Sequence, residues 1–159
     1  VKALIEQLAQ QLLNRSFTLA VAESCTGGML AQQCTSLSGS AAWFQCGYIT
    51  YSNASKIRLL GVQANVLDEH GAVSSQVAIQ MAEGALIKSA CDVSASITGI
   101  AGPSGGSNEK PVGTVYIAIA VKNKPAQAER YSFSGDRQSI REQSTVAALE
   151  KLISETNNG

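Results

Sequence analysis

Phe17-Thr18-Leu19-Ala20-Val21-Ala22 runs directly into Glu23-Ser24-Cys25-Thr26-Gly27-Gly28 and then into Met29 to Thr35. The first six residues read as a short strand buried on both faces, the next six as a turn, and the last seven as a helix. Upstream, Val1, Leu4, Ile5, Leu8 and Leu12 recur at helical spacing and predict an amphipathic helix. Downstream, the loop Ser38-Gly39-Ser40 precedes Trp43 to Tyr51, whose aromatic and β-branched residues suit a strand. Ser52 or Asn53 can cap a helix starting near Ala54, and Ser74 or Ser75 can cap the next, with Val77, Ala78, Met81, Ala82 and Ala85 on its apolar face.

Val93 to Thr98, Gly113 to Val121 and Gln127 to Phe133 read as three further strands. The last two are joined by the hairpin-like loop Lys122-Asn123-Lys124-Pro125. Asp136 caps a final helix carrying Ile140, Ala147, Ala148, Leu152 and Ile153. Helices and strands alternate early and two strands adjoin late. That order predicts an α/β fold: a single three-layer α-β-α domain over residues 1–159, with a mixed, mostly parallel sheet and a frayed tail from Thr156 to Gly159.

Composition narrows the function. The 159 residues are 45% hydrophobic and only 15% charged, with 12 basic and 12 acidic residues. Such a chain has enough apolar surface for one core without disulfide or metal staples. Zero net charge and scattered Lys and Arg argue against nucleic-acid binding, which draws on clustered cations. The longest apolar runs, such as Val115 to Val121, are far below the roughly 20 residues of a spanning helix, so no membrane partner is expected. Val1 to Arg15 lacks the basic start of a signal peptide. Cys25, Cys34, Cys46 and Cys91 lie 9, 12 and 45 residues apart, match no zinc pattern, and read as reduced thiols of a cytoplasmic protein. Small size and low charge lead us to expect a homo-oligomer.

Four segments hold residues with usable chemistry. At 22–28 a hydroxyl or thiol at a strand-to-helix turn is pushed out of the sheet, and following N–H groups can face an oxyanion. On its own, the segment favours the plainer reading of a Ser/Thr helix cap with packing glycines. The only histidine, His70, sits in Asp68-Glu69-His70-Gly71, where a cation suits a helix end, so a Ser–His–Asp triad has little support. A Ser–Lys pair is chemically open if the lysine is held neutral. Lys56 lies in the first turns of a helix just after Tyr51, where the helix field disfavours its cation; the plainer reading is a solvated lysine. Thr98 to Gly106 suits backbone cradling of an anion after a strand, or is a flexible loop. Arg137 and Arg141, one helical turn apart, could clamp a phosphate or carboxylate, or simply be exposed.

Together these segments resemble the CinA C-terminal domain family, the nicotinamide mononucleotide deamidases. The stretches that carry the resemblance are AESCTGG at 22–28, GYITYSNASK at 47–56, HGAVS at 70–74, TGIAGPSGGSNEKPVGTVY at 98–116 and FSGDR at 133–137. The resemblance implies a Ser–Lys type amidase acting on a small nucleotide, with no cofactor and no metal. By position it implies Ser24 as nucleophile, Tyr51 as a proton-relaying hydroxyl and Lys56 as base. It also implies substrate binding by Thr26, Gly27, Gly28, Gly99, Ala101, Gly102, Arg137 and Arg141. Members also occur behind a larger N-terminal domain, and this length fits the stand-alone form. The rival expectation is a nucleotide-binding module without catalysis.

Overall fold

The computed structural model describes residues 1–157. In chain order the elements are α1 (Lys2–Arg15), β1 (Leu19–Glu23), α2 (Met29–Thr35), a single 3-10 turn (Ser40–Ala42), β2 (Phe44–Ile49), α3 (Asn53–Leu60), α4 (Ala64–His70), α5 (Ser75–Ser89), β3 (Val93–Gly99), β4 (Thr114–Val121), β5 (Gln127–Ser132) and α6 (Arg137–Thr156). One sheet runs β2-β1-β3-β4-β5. β1 pairs parallel with β2 and with β3, whereas β4 is antiparallel to both of its neighbours. Four strands therefore point one way and β4 opposes them. The sheet is mixed and mostly parallel in direction, though its pairings divide evenly between the two kinds.

The layers follow from side-chain alternation. In β3, Val93, Ala95 and Ile97 face a core shared with α1, α2 and α6, where Ile5, Leu8, Leu12, Leu30, Leu149 and Leu152 are buried. Ser94 and Ser96 face the other way and donate to the carbonyls of Ala82 and Ala78 in α5, both at 2.6 Å. Those hydroxyls are buried yet paired, so they carry no desolvation penalty. Their small size, with Ala118 and Ala120 of β4 against Ala78 and Ala82, lets α5 lie close on the sheet. Helices cover both faces, as the three-layer reading requires.

Element ends depart from the sequence pattern for identifiable reasons. The first strand begins at Leu19 rather than Phe17. Ser16 adopts a left-handed conformation that closes α1, and the Phe17 N–H is used on Leu12 O. Trp43 belongs to the end of the 3-10 turn. Thr50 and Tyr51 leave β2 because their carbonyls turn toward Lys56. The frayed tail is corrected at Thr156, which is fully buried at the end of α6. Its hydroxyl donates to Leu152 O and accepts from Gln11 Nε2. Asn157 is exposed, and residues 158 and 159 of that expected tail lie outside the described residues. Among the described residues, no helix is long and apolar enough to cross a membrane.

This topology fixes where a site can form. From β1 the chain crosses by α2 to β2 on one side, and returns by α3, α4 and α5 to β3 on the other side. β1 is therefore the switch strand, and the crevice of such sheets opens at its carboxyl end. The position of α3 there depends on one close approach. A Cβ on Gly84 of α5 would lie 2.0 Å from Leu60 O, the last residue of α3. Alanine normally improves a helix interior by about 1 kcal/mol over glycine. Here Gly84→Ala is expected to destabilise by about 1–3 kcal/mol through overpacking. Chemical denaturation of the two proteins measures this, and a stabilised variant would show that α3 does not rest on α5 in this way.

Candidate active site

Ser24 follows the last residue of β1, and its N–H extends the parallel ladder by donating to Ile97 O at 3.0 Å. Ser52 caps α3 by accepting from the Ser55 N–H, which starts the helix and aims Lys56 back under the sheet edge. Lys56 is 1% exposed. Its Nζ lies 3.0 Å from Ser24 Oγ, 2.8 Å from Thr50 O and 3.0 Å from Tyr51 O. Burial lowers its pKa to about 8, and the only opposing influence is the nearby Cys25 thiol. So the lysine that sequence alone could leave in solvent is enclosed, and it touches the serine 32 residues away.

A cleft of about 190 Å3 opens over this pair, lined by Ser24, Cys25, Tyr51, Lys56, Ala72, Val73, Thr98, Gly99, Ala101 and Arg137. A larger groove of about 720 Å3 runs between α2, β5 and α6. It contains none of the nucleophile or base candidates, so the smaller cleft is the candidate site.

The expected binding residues separate into two groups. Gly99, Ala101 and Arg137 line the cleft. Arg137 reaches across its mouth, donating to Gly102 O at 2.8 Å and to the Tyr51 hydroxyl at 3.3 Å. Thr26, Gly27, Gly28, Gly102 and Arg141 are not part of the lining. The Thr26 hydroxyl donates to Glu23 Oε1 at 2.6 Å and is fully buried. Gly27 and Gly28 supply the positive φ angles of the turn. Gly102 packs so tightly on Val112 that a Cβ would lie 2.4 Å from its Cγ1. Arg141 does not join Arg137 in a clamp. Its guanidinium is spent on the carbonyls of Cys25 and Thr26, at 3.0 and 3.2 Å. Tyr51 also differs from expectation. It is 63% exposed, its hydroxyl meets Arg137 rather than Ser24 or Lys56, and it is its backbone carbonyl that holds Lys56.

Glu23 is the residue that sequence reading passed over. It is fully buried beside the nucleophile candidate, and its carboxylate accepts from the Thr26 hydroxyl and from the N–H groups of Gly28, Leu30 and Ala31. The available signal was an acid placed just before a glycine-rich helix start, where a carboxylate suits the free N–H groups. Among the described residues, no group of three His, Cys, Asp or Glu side chains could hold a metal ion.

The model of the CinA C-terminal domain family matches residues 1–156. The chain belongs to the CinA C-terminal domain family. Among curated proteins it is 49% identical to the nicotinamide-nucleotide amidohydrolase PncC of Escherichia coli K12, over 94% of this chain and 90% of that protein. It is 53% identical to a CinA-like protein of Geotalea uraniireducens over 86% of this chain, which spans only 32% of that protein. Among solved structures it superposes on the competence/damage inducible protein CihA of Agrobacterium tumefaciens with a TM-score of 0.94 and 39% identity, covering 96% of this chain and 93% of that one. A CinA superfamily protein of Klebsiella pneumoniae gives 0.94 at 32% identity, over 99% and 98%. The layered fold read from the sequence is thus the fold of solved CinA superfamily members.

Burial also sets the order of thiol reactivity in this family member. Burial pushes the Cys25 thiol up to about 11 and the Cys34 thiol up to about 12. Cys46, on the edge strand β2, is half-buried. At neutral pH, iodoacetamide is therefore expected to label Cys46 well before Cys25 or Cys34. Peptide mass spectrometry over time reads the order, and first labelling at Cys25 would contradict the buried, un-ionised thiol described here.

Proposed function

We propose that the chain hydrolyses the carboxamide of nicotinamide mononucleotide, giving nicotinate mononucleotide and ammonia, as a step of pyridine nucleotide salvage. The observation that carries this reading is the 3.0 Å contact between Ser24 Oγ and a buried Lys56 Nζ that two carbonyls hold in place. The name of the Escherichia coli relative supplies the substrate. Four free cysteines suit a reducing compartment, which for this reading is the cytoplasm.

The hydrogen bonds of Lys56 count out to a base. A neutral amine has two N–H donors and one lone pair. In the charged form Nζ donates to Ser24 Oγ, Thr50 O and Tyr51 O; on deprotonation the two remaining N–H groups can keep the carbonyls, which turns the lone pair to Ser24 so that the hydroxyl donates to it. As Ser24 Oγ attacks the carboxamide carbon, its proton passes to Lys56 Nζ and the carbonyl π electrons move onto oxygen. Collapse of that intermediate breaks the C–N bond, and the amide nitrogen leaves as ammonia with the proton from Lys56. Lys56, neutral again, takes a proton from water as it attacks the Ser24 ester. The second collapse returns that proton to Ser24 Oγ and releases the carboxylic acid, which then ionises in water. Water and amide are consumed, acid and ammonia are formed, and no cofactor enters.

The cleft is smaller than the roughly 300 Å3 at which ordinary ligand pockets begin. It suits the pyridine carboxamide, leaving the ribose phosphate to extend over Gly99, Ala101 and Arg137 at the mouth. Arg137 then serves as the anion partner, exchanging its bonds to Gly102 O and the Tyr51 hydroxyl for the phosphate.

Ammonia release from nicotinamide mononucleotide tests the reading directly; binding without release would leave the nucleotide-binding module instead. The turnover rate is expected to rise with pH through about 8 and then level off, because the active form is the deprotonated lysine. Ser24→Ala and Lys56→Arg should each lose at least about 100-fold, since arginine cannot be deprotonated in a protein. A Lys56→Arg protein with near-normal turnover would refute the base.

Phosphate anchoring generates a separate expectation. Nicotinamide riboside, which lacks the group held by Arg137, should be hydrolysed with a kcat/KM at least about tenfold lower. Equal rates on the two substrates would remove Arg137 from recognition.

A further inference from the structure

The turn that carries Ser24 is gripped from two sides by charged groups that do not line the cleft. On one side lies Glu23. Its Oε1 accepts from the Thr26 hydroxyl, Gly28 N–H and Leu30 N–H at 2.6, 3.2 and 2.9 Å, and its Oε2 accepts from Ala31 N–H at 2.9 Å. Four donors on one fully buried carboxylate tie the end of β1 to the first turn of α2. On the other side lies Arg141, from the second turn of α6. Its Nε donates to Cys25 O and its NH2 group to Thr26 O. A Cβ on Gly27 would already lie 3.4 Å from that guanidinium, so the arginine packs directly against the turn.

We propose that Glu23 and Arg141 are a pair of positioning residues that clamp the Ser24–Gly28 turn and hold the Ser24 hydroxyl on Lys56. The inference rests on Ser24 being the nucleophile, as in the reading above. The two grips are complementary in chemistry. Glu23 takes up N–H and O–H donors of the turn, and Arg141 takes up its carbonyls. Between them they fix the peptides at Cys25 and Thr26. Of the two N–H groups that follow the nucleophile, that of Cys25 bonds its own thiol, and that of Thr26 has no backbone acceptor among the described residues. A glycine-containing turn with two left-handed residues would otherwise be loosely determined. Because the contact to be held is a single 3.0 Å approach, small displacements are costly to rate.

Glu23→Gln keeps one acceptor oxygen and loses the second. Arg141→Ala removes the other grip, and Arg141→Lys restores a single donor to it. The clamp predicts that Glu23→Gln and Arg141→Ala lower kcat for ammonia release by about tenfold to a hundredfold, while KM stays within about threefold. Arg141→Lys should recover part of the loss. Arg137→Ala, in contrast, should act mainly on KM. Phosphorylation of Ser24 Oγ by diisopropyl fluorophosphate, which releases fluoride and needs no amide substrate, should slow in step with kcat. Thermal melting confirms which variants are folded, and the Arg141 variants decide the matter if Glu23→Gln does not fold. Folded variants that label at the wild-type rate, or whose loss lies in KM alone, would overturn the clamp. If the wild-type protein labels but releases no ammonia, the amidase reading fails and the labelling rates still judge the clamp. If it does neither, Ser24 is not a nucleophile and the clamp falls with it.

Discussion

A lysine buried without a counter-ion is the constraint around which this molecule is arranged. Lys56 forms no ion pair; the ion pairs among the described residues are His70–Glu69 and Lys151–Glu129. Enclosing an ammonium in such surroundings is expensive, which favours loss of its proton and lowers the pKa. The carbonyls of Thr50 and Tyr51 make the enclosure tolerable without supplying a full negative charge. A carboxylate in their place would stabilise the cation and hold the proton on the amine. Neutral oxygens leave the pKa near 8, which places a usable base close to physiological pH.

The rest of the chain can be followed outward from that contact. Lys56 reaches Ser24 because α3 starts where β2 ends, and β2 lies beside β1 in parallel. α3 keeps its place because Gly84 of α5 leaves room for Leu60 O. α5 in turn lies close on the sheet because Ser94, Ser96, Ala118 and Ala120 present a surface of small residues, with the hydroxyls bonded to its carbonyls. Thr98 extends the same row and donates to Ala72 O, joining the cleft wall to the stretch ahead of α5. The small residues of β3 thus act on the site from a distance. They set how close the helix layer comes, and α3, which carries Lys56, packs on that layer.

Much of this was legible from residue order, and the remainder was not for physical reasons. Helices announced their starts through caps whose role is local. Ser52, Ser74 and Asp136 each accept from an N–H three residues on. The turn at Ser24 and the glycine loop after β3 were visible because glycine is required where φ is positive. What stayed hidden were destinations set by tertiary contacts. Arg137 and Arg141 share a helix face at one-turn spacing and looked interchangeable, yet one spans the cleft mouth and the other holds carbonyls behind it. Tyr51 drew attention to its hydroxyl, while the group that touches Lys56 is a carbonyl every residue possesses. Glu23 passed unnoticed because its partners are backbone N–H groups, which leave no mark in a sequence.

In the proposed mechanism, geometry overrides intrinsic reactivity in the choice between the adjacent Ser24 and Cys25. A thiol is the better nucleophile once ionised, and Cys25 sits next to Ser24 in the same cleft. Ionisation is what the site denies it. Burial is the largest influence on Cys25 and raises its pKa to about 11; the Glu23 carboxylate pushes the same way, and the thiol's own backbone N–H, Arg141 and Lys56 do not offset them. Glu23 also occupies the N-terminal amides of α2, the very groups that lower thiol pKa values elsewhere. A hydroxyl needs no prior ionisation if a base accepts its proton during attack, and the amine that can do so lies against Ser24 Oγ. The same buried acid therefore ties down the turn that carries the serine and disfavours the thiolate of its neighbour. In the proposed mechanism, with two candidate nucleophiles side by side, the position of Lys56 decides between them, and intrinsic nucleophilicity does not.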